Sequence, residues 1–190
     1  MKEQIKRYFG RYVEFTDTEM NGIYSELEVR DFQKKEFLLK ENTVCKYNYF
    51  IVKGVVRSYY IDEKGNEKIT QFAIDNWWVT NMESFLKEIP STQYLQALEE
   101  TTVLYLSKEA LEKLYSKYPK LERLFRIITE NMLIANLRKS DIFLQMRSKE
   151  RYINFAKTFP DFMQRVPQYM IASYLEITPE YLSELRRNTK

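Results

Sequence analysis

Histidine is absent from this chain of 190 residues, and cysteine occurs once, at Cys45. A lone cysteine cannot form an intramolecular disulfide, and the lack of histidine removes most ligand sets for zinc, haem and iron–sulfur clusters. It also removes the histidine-dependent arrangements that activate serine or cysteine nucleophiles. The 27 acidic residues are dispersed without an active-site signature. The sequence therefore predicts no metal, no cofactor and no enzyme.

Glycine and proline are also scarce, with four and five residues, so no flexible low-complexity linker is available. Long apolar runs are missing too, because the N-terminal "MKEQIKRYFGRYVEF" carries charges throughout and "RIITENMLIANLRK" is interrupted by polar residues. These absences predict a soluble, cytoplasmic protein with no membrane segment. The 44% of hydrophobic residues suffices for one sizeable core and a small second domain.

The net charge of +3 is confined to the C-terminal part of the chain. Residues 1–146 contain 22 basic and 22 acidic residues, whereas residues 147–190 contain eight and five. An excess of this size is compatible with nucleic acid, but a solvated terminal helix would show the same balance.

Short β-type runs separated by turn signals fill residues 28–106. They are "FLLK" (37–40), "YFIVKGVVRSYYID" (49–62), "EKITQFAI" (67–74) and "VLYLS" (103–107), and "EKGN" (63–66) has the composition of a hairpin turn. Gly54 inside the longest run marks a bulge or tight bend where a side chain would collide with another strand. The spacing predicts an antiparallel barrel or roll.

The apolar period changes to that of a helix over residues 108–147. Ser107 can cap a first helix, and Pro119 suits the first position of a second helix of roughly 25 residues. The apolar stripe on this long helix comprises Leu121, Leu124, Phe125, Ile128, Met132 and Ala135. It favours a two-helix dimer seam, with packing on the roll as the alternative. Ile127, Ile134 and Leu137 widen the apolar surface.

The last part of the chain, residues 148–190, has the pattern of a helix-turn-helix. Ala172 supplies the small residue at the helix crossing, and Thr178 and Pro179 suit the start of the second helix. Glu176 stands in the turn, where a left-handed residue is needed. The core positions are apolar: Ile171, Leu175, Ile177, Leu182 and Leu185. By spacing alone, an ordinary helical hairpin and a DNA-reading motif fit equally well.

The order of these parts resembles the Crp/Fnr superfamily of bacterial transcription regulators over nearly the whole chain. The residues that carry the resemblance are "YFIVKGVVRSYYIDEKGNEKITQFAI" and "VPQYMIASYLEITPEYLSELRR", and "PSTQYLQALEETTVLYLSKE" is similar to short-form regulators of Bacteroidetes-type bacteria. The resemblance implies an α+β fold with an antiparallel, cyclic-nucleotide-binding-like jelly roll and flanking helices. It also implies a sensor domain over residues 1–146 that includes a dimerisation helix (about 119–146), followed by a wingless DNA-binding domain over residues 147–190.

The family's cyclic AMP cassette is degenerate in this sequence. Where relatives have a Gly-Glu pair, "VTNME" offers only the displaced Glu83, and where they have Arg-Ser, Ser91 and Thr92 stand without the arginine. A buried phosphate without a cationic partner loses strong, charge-assisted hydrogen bonds. Cyclic AMP is therefore not expected to bind. Trp77 and Trp78 are candidates to line a pocket for another, unknown effector, or they serve as core anchors.

The resemblance places the start of the last helix in the major groove. Candidate base-reading residues are Glu180, Ser183, Glu184 and Arg187, and Pro179 occupies a position often held by arginine. Candidate phosphate contacts are Gln168, Thr178, Tyr181 and Arg186. The implied partners are double-stranded DNA, a second copy of the chain, a small-molecule effector and RNA polymerase.

Two functions stay open at the level of sequence. The first is a homodimeric transcription regulator. The second is a ligand-binding or protein-interaction module on the same fold that has lost DNA binding, since carboxylates at Glu176, Glu180 and Glu184 would repel phosphate.

Overall fold

The computed structural model describes residues 1–188. Two four-stranded antiparallel sheets form the centre of the fold, with strand orders β1-β8-β3-β6 and β2-β7-β4-β5. Their strands are β1 (Glu28–Phe32), β2 (Phe37–Leu39), β3 (Tyr47–Lys53), β4 (Val55–Ile61), β5 (Glu67–Ile74), β6 (Trp78–Val79), β7 (Tyr94–Ala97) and β8 (Thr101–Ser107). Both sheets contribute to one hydrophobic core, with Phe50 and Leu104 from the first sheet and Val56 and Leu95 from the second.

Helices lie before, within and after the strands. The first three are α1 (Lys2–Phe9), α2 (Asp17–Tyr24) and α3 (Met82–Lys87). They are followed by α4 (Lys108–Lys117), α5 (Pro119–Gln145), α6 (Ser148–Thr158), α7 (Phe162–Arg165), α8 (Gln168–Tyr174) and α9 (Pro179–Asn188). No helix within residues 1–188 is long and apolar enough to cross a membrane.

The predicted roll is confirmed, but the barrel alternative is wrong because the two sheets stay open. The run over residues 49–62 is not one strand, since the chain leaves the first sheet after β3 and enters the second at β4. Gly54 makes this crossing at a φ of 124°. A Cβ at Gly54 would lie 2.3 Å from Thr101 Oγ1 and 2.8 Å from Thr101 Cα. The predicted steric conflict for a side chain at Gly54 is therefore confirmed. It arises where the chain passes from the first sheet to the second.

Other sequence-predicted boundaries agree with the structure. The β4–β5 hairpin turns at the predicted position, where the Asp62 carboxylate accepts hydrogen bonds from the Lys64 and Asn66 amides. The Ser107 hydroxyl accepts from the Ala110 amide and caps α4, and Pro119 is the first residue of α5. The roll has flanking helices, as predicted, but the positions of α1, α2 and α3 and of strands β1, β6 and β7 were not predicted.

The C-terminal helices pack onto the second sheet and share a second hydrophobic core with it. The Phe72 ring of β5 lies 4.9 Å from the Phe162 ring and 5.4 Å from the Tyr174 ring, measured between centroids. The Ser173 hydroxyl donates to the Glu67 carbonyl at 3.0 Å and accepts from the Ile69 amide at 3.1 Å. The helix-turn-helix is thus docked on the roll.

Gly54→Ala should cost about 3 kcal/mol of unfolding free energy, because the methyl group meets Thr101 at a backbone angle that L residues avoid. Gly65→Ala is the matched control. Gly65 also has a positive φ, of 80°, but a Cβ at this position would meet no atom within 4 Å, so a loss of about 1 kcal/mol is expected. Urea denaturation measures both variants, and equal losses would contradict the steric explanation.

Candidate functional site

Helices α8 and α9 form the predicted helix-turn-helix. Ala172 is fully buried at the crossing of the two helices, and so is Leu182. The predicted core residues Ile171, Leu175 and Leu185 are also buried. Because small and apolar residues occupy the positions where the helices approach, the two helices pack closely and hold α9 in a fixed orientation.

Glu176 adopts the left-handed conformation that the sequence predicted for the turn, with a φ of 54°. The Glu176 amide donates to the Ser173 carbonyl at 3.1 Å and the Ile177 amide donates to the Ala172 carbonyl at 3.0 Å. This pair of bonds is the Schellman arrangement that ends a helix with a left-handed residue. The Thr178 hydroxyl then caps α9 by accepting from the Tyr181 amide at 3.1 Å.

The outward face of α9 is open to solvent. Eight of the nine residues assigned to DNA are exposed, namely Thr178, Pro179, Glu180, Tyr181, Ser183, Glu184, Arg186 and Arg187. The ninth, Gln168, is half-buried and donates to the Met163 carbonyl at 3.3 Å. Within residues 1–188, neither Arg186 nor Arg187 forms an ion pair, so both guanidinium groups are available to a ligand. Their assignment to bases or phosphates stays a prediction.

The residues assigned to the effector cassette have different surroundings. Glu83 is exposed and pairs with Lys87, and Thr92 is also exposed. Ser91 is buried, but its hydroxyl donates to the Gln93 carbonyl. Only Trp78, the fourth residue assigned to the pocket, borders the cavity at this place. Glu83 and Thr92 face solvent while Ser91 and Trp78 are buried, and the assignment of these four residues to one effector pocket stays a prediction.

The indole of Trp78 fills the space between the first sheet and α5. Its ring lies 5.4 Å from the Phe50 ring and 5.0 Å from the Phe125 ring, and it is 5% exposed. The cavity that remains beside it measures about 20 Å³. Because a drug-sized ligand needs hundreds of cubic ångströms, the core-anchor interpretation of Trp78 is correct at this place.

Helix α5 has 27 residues, close to the predicted length, and two different faces. Its inner face buries Leu121, Leu124, Phe125 and Ile128 in the core of the roll. Met132 packs partly against that core, whereas Ala135 is exposed. The assignment to a dimer seam is therefore wrong for the four buried residues, because they are already covered by their own chain, and it stays a prediction for Met132 and Ala135. Their packing on the roll was the alternative interpretation.

The opposite face of α5 carries a second apolar strip. Ile134, Leu137 and Leu144 are 45%, 57% and 82% exposed, and Ile127 is partly buried. Successive members of this set are seven, three and seven residues apart, which is the spacing of the a and d positions in a coiled coil. Glu130 and Asp141 occupy the other two positions of the repeat. We call Ile127, Ile134, Leu137 and Leu144 the outer strip.

Comparison with known proteins agrees with this architecture. Residues 29–118 match the family model described as a cyclic nucleotide-binding domain. The "Anaerobic regulatory protein" of Aggregatibacter actinomycetemcomitans is 27% identical over 82% of this chain and 64% of its own length. The "Fumarate and nitrate reduction regulatory protein" of Vibrio cholerae is 26% identical over 82% of this chain and 66% of its own length. The chain thus spans less than two thirds of these relatives.

Solved structures share the fold. FixK2 from Bradyrhizobium japonicum superposes with a TM-score of 0.74 at 19% identity, over 85% of this chain and 83% of that one. The catabolite activator protein of Thermus thermophilus superposes with a TM-score of 0.56 at 17% identity, over 92% and 83%.

The structure defines a class of protein in which a cyclic-nucleotide-binding-type roll is joined by a long helix to a helix-turn-helix. In this architecture and in its sequence relatives, the chain is similar to the Crp/Fnr superfamily.

Glu176→Gly should raise the unfolding free energy by about 1 kcal/mol, because glycine adopts the left-handed turn without strain. The corresponding rise in Tm is about 2–4 °C for a domain of this size. Glu180→Gly is the matched control, since it removes the same charge from the exposed face but places glycine inside α9, where it should destabilise. Calorimetry measures both, and a fall in Tm for Glu176→Gly would contradict the prediction.

Proposed function

We propose that this chain is a cytoplasmic, homodimeric transcription regulator that binds double-stranded DNA through α8 and α9. The observation that carries the proposal is the open face of α9. Buried Leu182 and Leu185 anchor this helix on the rest of the molecule, while its polar side chains and two arginines face solvent. A rigidly held helix with a polar outer face is what entry into the major groove requires.

The arrangement of charge along α9 suggests a division of roles. Glu180, Ser183 and Glu184 lie on the exposed part of the first two turns, where a recognition helix meets base edges. A carboxylate at these positions can accept a hydrogen bond from cytosine N4. Arg186 and Arg187 lie in the last turn and suit phosphate oxygens or a guanine edge.

The outer strip supports pairing of two chains along α5. Ile134, Leu137 and Leu144 are exposed apolar residues on a face that the roll leaves uncovered. Burying them against the same strip of a second copy removes this surface from water and creates a two-fold axis between two α9 helices. The two half-sites on DNA should then lie about one helical turn apart, roughly 34 Å.

The degenerate cassette supports the proposal that this regulator does not bind cyclic AMP as its cyclic AMP-binding relatives do. Ser91 and Thr92 stand without the arginine that would hold the cyclic phosphate, and the Ser91 hydroxyl already donates to the Gln93 carbonyl. The identity of the effector and a contact with RNA polymerase stay predictions.

The alternative function is a ligand-binding or protein-interaction module without DNA binding. It is favoured by the acidic character of the proposed DNA face, where Glu176, Glu180 and Glu184 are all exposed. Each carboxylate repels the phosphate backbone unless it is paired with a base donor.

DNA binding through α9 is tested with the double variant Arg186→Ala, Arg187→Ala. Fluorescence anisotropy on a duplex selected from a random library should show binding weakened tenfold or more and a salt dependence reduced by about two phosphate contacts. The matched control is Lys113→Ala, Lys117→Ala, which removes two exposed cations from α4, away from α9. This control should bind the selected duplex like the unmodified chain.

Unselective, salt-independent binding by the unmodified chain would contradict the proposal. Equal affinities of the arginine variant and the unmodified chain would favour the alternative module. Circular dichroism separates a loss of contacts from a loss of fold.

A further inference from the structure

A cavity of about 610 Å³ lies between the roll, the second half of α5 and the C-terminal helices. Its walls come from α1, β5, β6, α5, α6, α7 and α8, and Glu83, Ser91 and Thr92 do not border it. A volume of 300–1,000 Å³ at a junction between structural units is typical of sites for small molecules. Trp77 and Trp78 both border it, so the two tryptophans that the sequence singled out do line a pocket, although not the predicted one.

Among residues 1–188, the charged side chains that line the cavity are all positively charged. The cavity is bordered by four cations, Arg11, Arg138, Lys139 and Arg151, and by no aspartate or glutamate among residues 1–188. None of these four forms an ion pair with a carboxylate within the described part of the chain. The remaining lining is rich in aromatic rings and amides, including Tyr12, Trp77, Phe143, Phe159, Asn136 and Asn154.

Two of the cations are held against an aromatic ring at the wall of the cavity. The Lys139 ammonium lies 5.4 Å from the Phe143 centroid, and the Arg151 guanidinium lies 4.8 Å from the same centroid. Lys139 donates to the Thr70 carbonyl at 2.9 Å, and Arg151 donates to the Leu175 carbonyl at 3.2 Å. Both charges are therefore fixed in place between β5, α5 and the helix-turn-helix.

These positive charges are incompletely compensated. The Nε atom of Arg151 is buried and has no hydrogen-bond partner among the residues that the structure describes. Burial lowers the pKa of Lys139, and the carboxylate of Glu176, which lies outside the lining, opposes this shift only in part. A half-buried ammonium is costly in isolation, and an anion bound in the cavity would relieve the cost at Lys139.

We propose that this cavity binds a small organic anion with an aromatic body. The cations at the wall would take the carboxylate, phosphate or sulfonate group, and the rings of Tyr12, Trp77 and Phe159 would cover the apolar part. Ligand binding at this place stands without the proposed function. Its use in regulation rests on the proposed function, because the site touches both the roll and α8.

The probe for this site is the dye anilinonaphthalenesulfonate, whose fluorescence rises in apolar surroundings. Its matched neutral counterpart is N-phenylnaphthylamine, which has the same aromatic body without the sulfonate. The sulfonate should bind one molecule per chain, several-fold more tightly than the neutral dye. Equal affinities for the two dyes would contradict an anion site.

Arg138→Gln and Lys139→Met should each weaken sulfonate binding about tenfold, since each removes one charge-assisted contact. Arg138 is exposed and has no hydrogen bond or ion pair among residues 1–188, so its replacement should leave the fold intact. Lys149→Gln is the control, because it removes an exposed cation from α6 outside the cavity. Ala135→Trp fills the cavity and should abolish binding of both dyes.

Competition experiments distinguish two chemical classes of anion, aromatic carboxylates and nucleotides. Displacement of the dye by naphthaleneacetate assigns the site to aromatic carboxylates, and displacement by guanosine monophosphate assigns it to nucleotides. Displacement by neither compound, or unchanged dye affinity in Arg138→Gln and Lys139→Met, would overturn the inference. None of these measurements uses DNA, so failure of the dye experiment and failure of DNA binding are separate outcomes.

Discussion

The placement of helix α5 is the constraint on which the rest of the structure depends. Its first turns are fixed, because Leu121, Leu124 and Ile128 are buried in the core that both sheets share. The helix then continues to Gln145, past the end of that core. Its later inner face therefore borders a cavity rather than a packed interior, and its outer face presents apolar side chains to solvent. The proposed dimer seam and the proposed ligand site are two consequences of one helix that is longer than the roll it covers.

The C-terminal helices return to the roll instead of extending away from it. Gly54 crosses between the sheets, and its amide donates to the Asp75 carboxylate at 2.6 Å. Asp75 and Glu99 both accept from Arg165 of α7, and the hydrogen bond that Arg165 donates to Glu99 is the largest cause that raises the pKa of that guanidinium. Since Phe72 packs on Phe162 and Tyr174 beside this network, the helix-turn-helix contacts the second sheet directly. A structural change in the second sheet can therefore reach α9 through direct contacts. Two alternative arrangements of these contacts would couple the sheet to α9 allosterically.

Local sequence signals predicted most of the helices and strands. Long-range packing determined the features that these local signals could not predict. Thr178, Pro119 and Glu176 act within one helical turn of their own position, so their roles were readable from neighbouring residues. The two faces of α5 were not, because a stripe such as Leu121–Leu124–Ile128 looks alike whether it meets its own roll or a second chain. Trp78 packs against Phe50 and Phe125, two contacts that the cassette pattern alone could not predict. The cavity at Arg138 and Lys139 combines residues from seven helices and strands, and no local pattern contains it.

The central claim is that two chains pair through the outer strip and so present two α9 helices to DNA. Sedimentation velocity tests it most directly, with Leu137→Glu placing a charge in the middle of the strip and Leu86→Glu, on exposed α3, as control. The account predicts a dimer for the unmodified chain and for Leu86→Glu, and a monomer for Leu137→Glu. A monomeric unmodified chain at micromolar concentration, or a Leu137→Glu variant that stays dimeric, would contradict it.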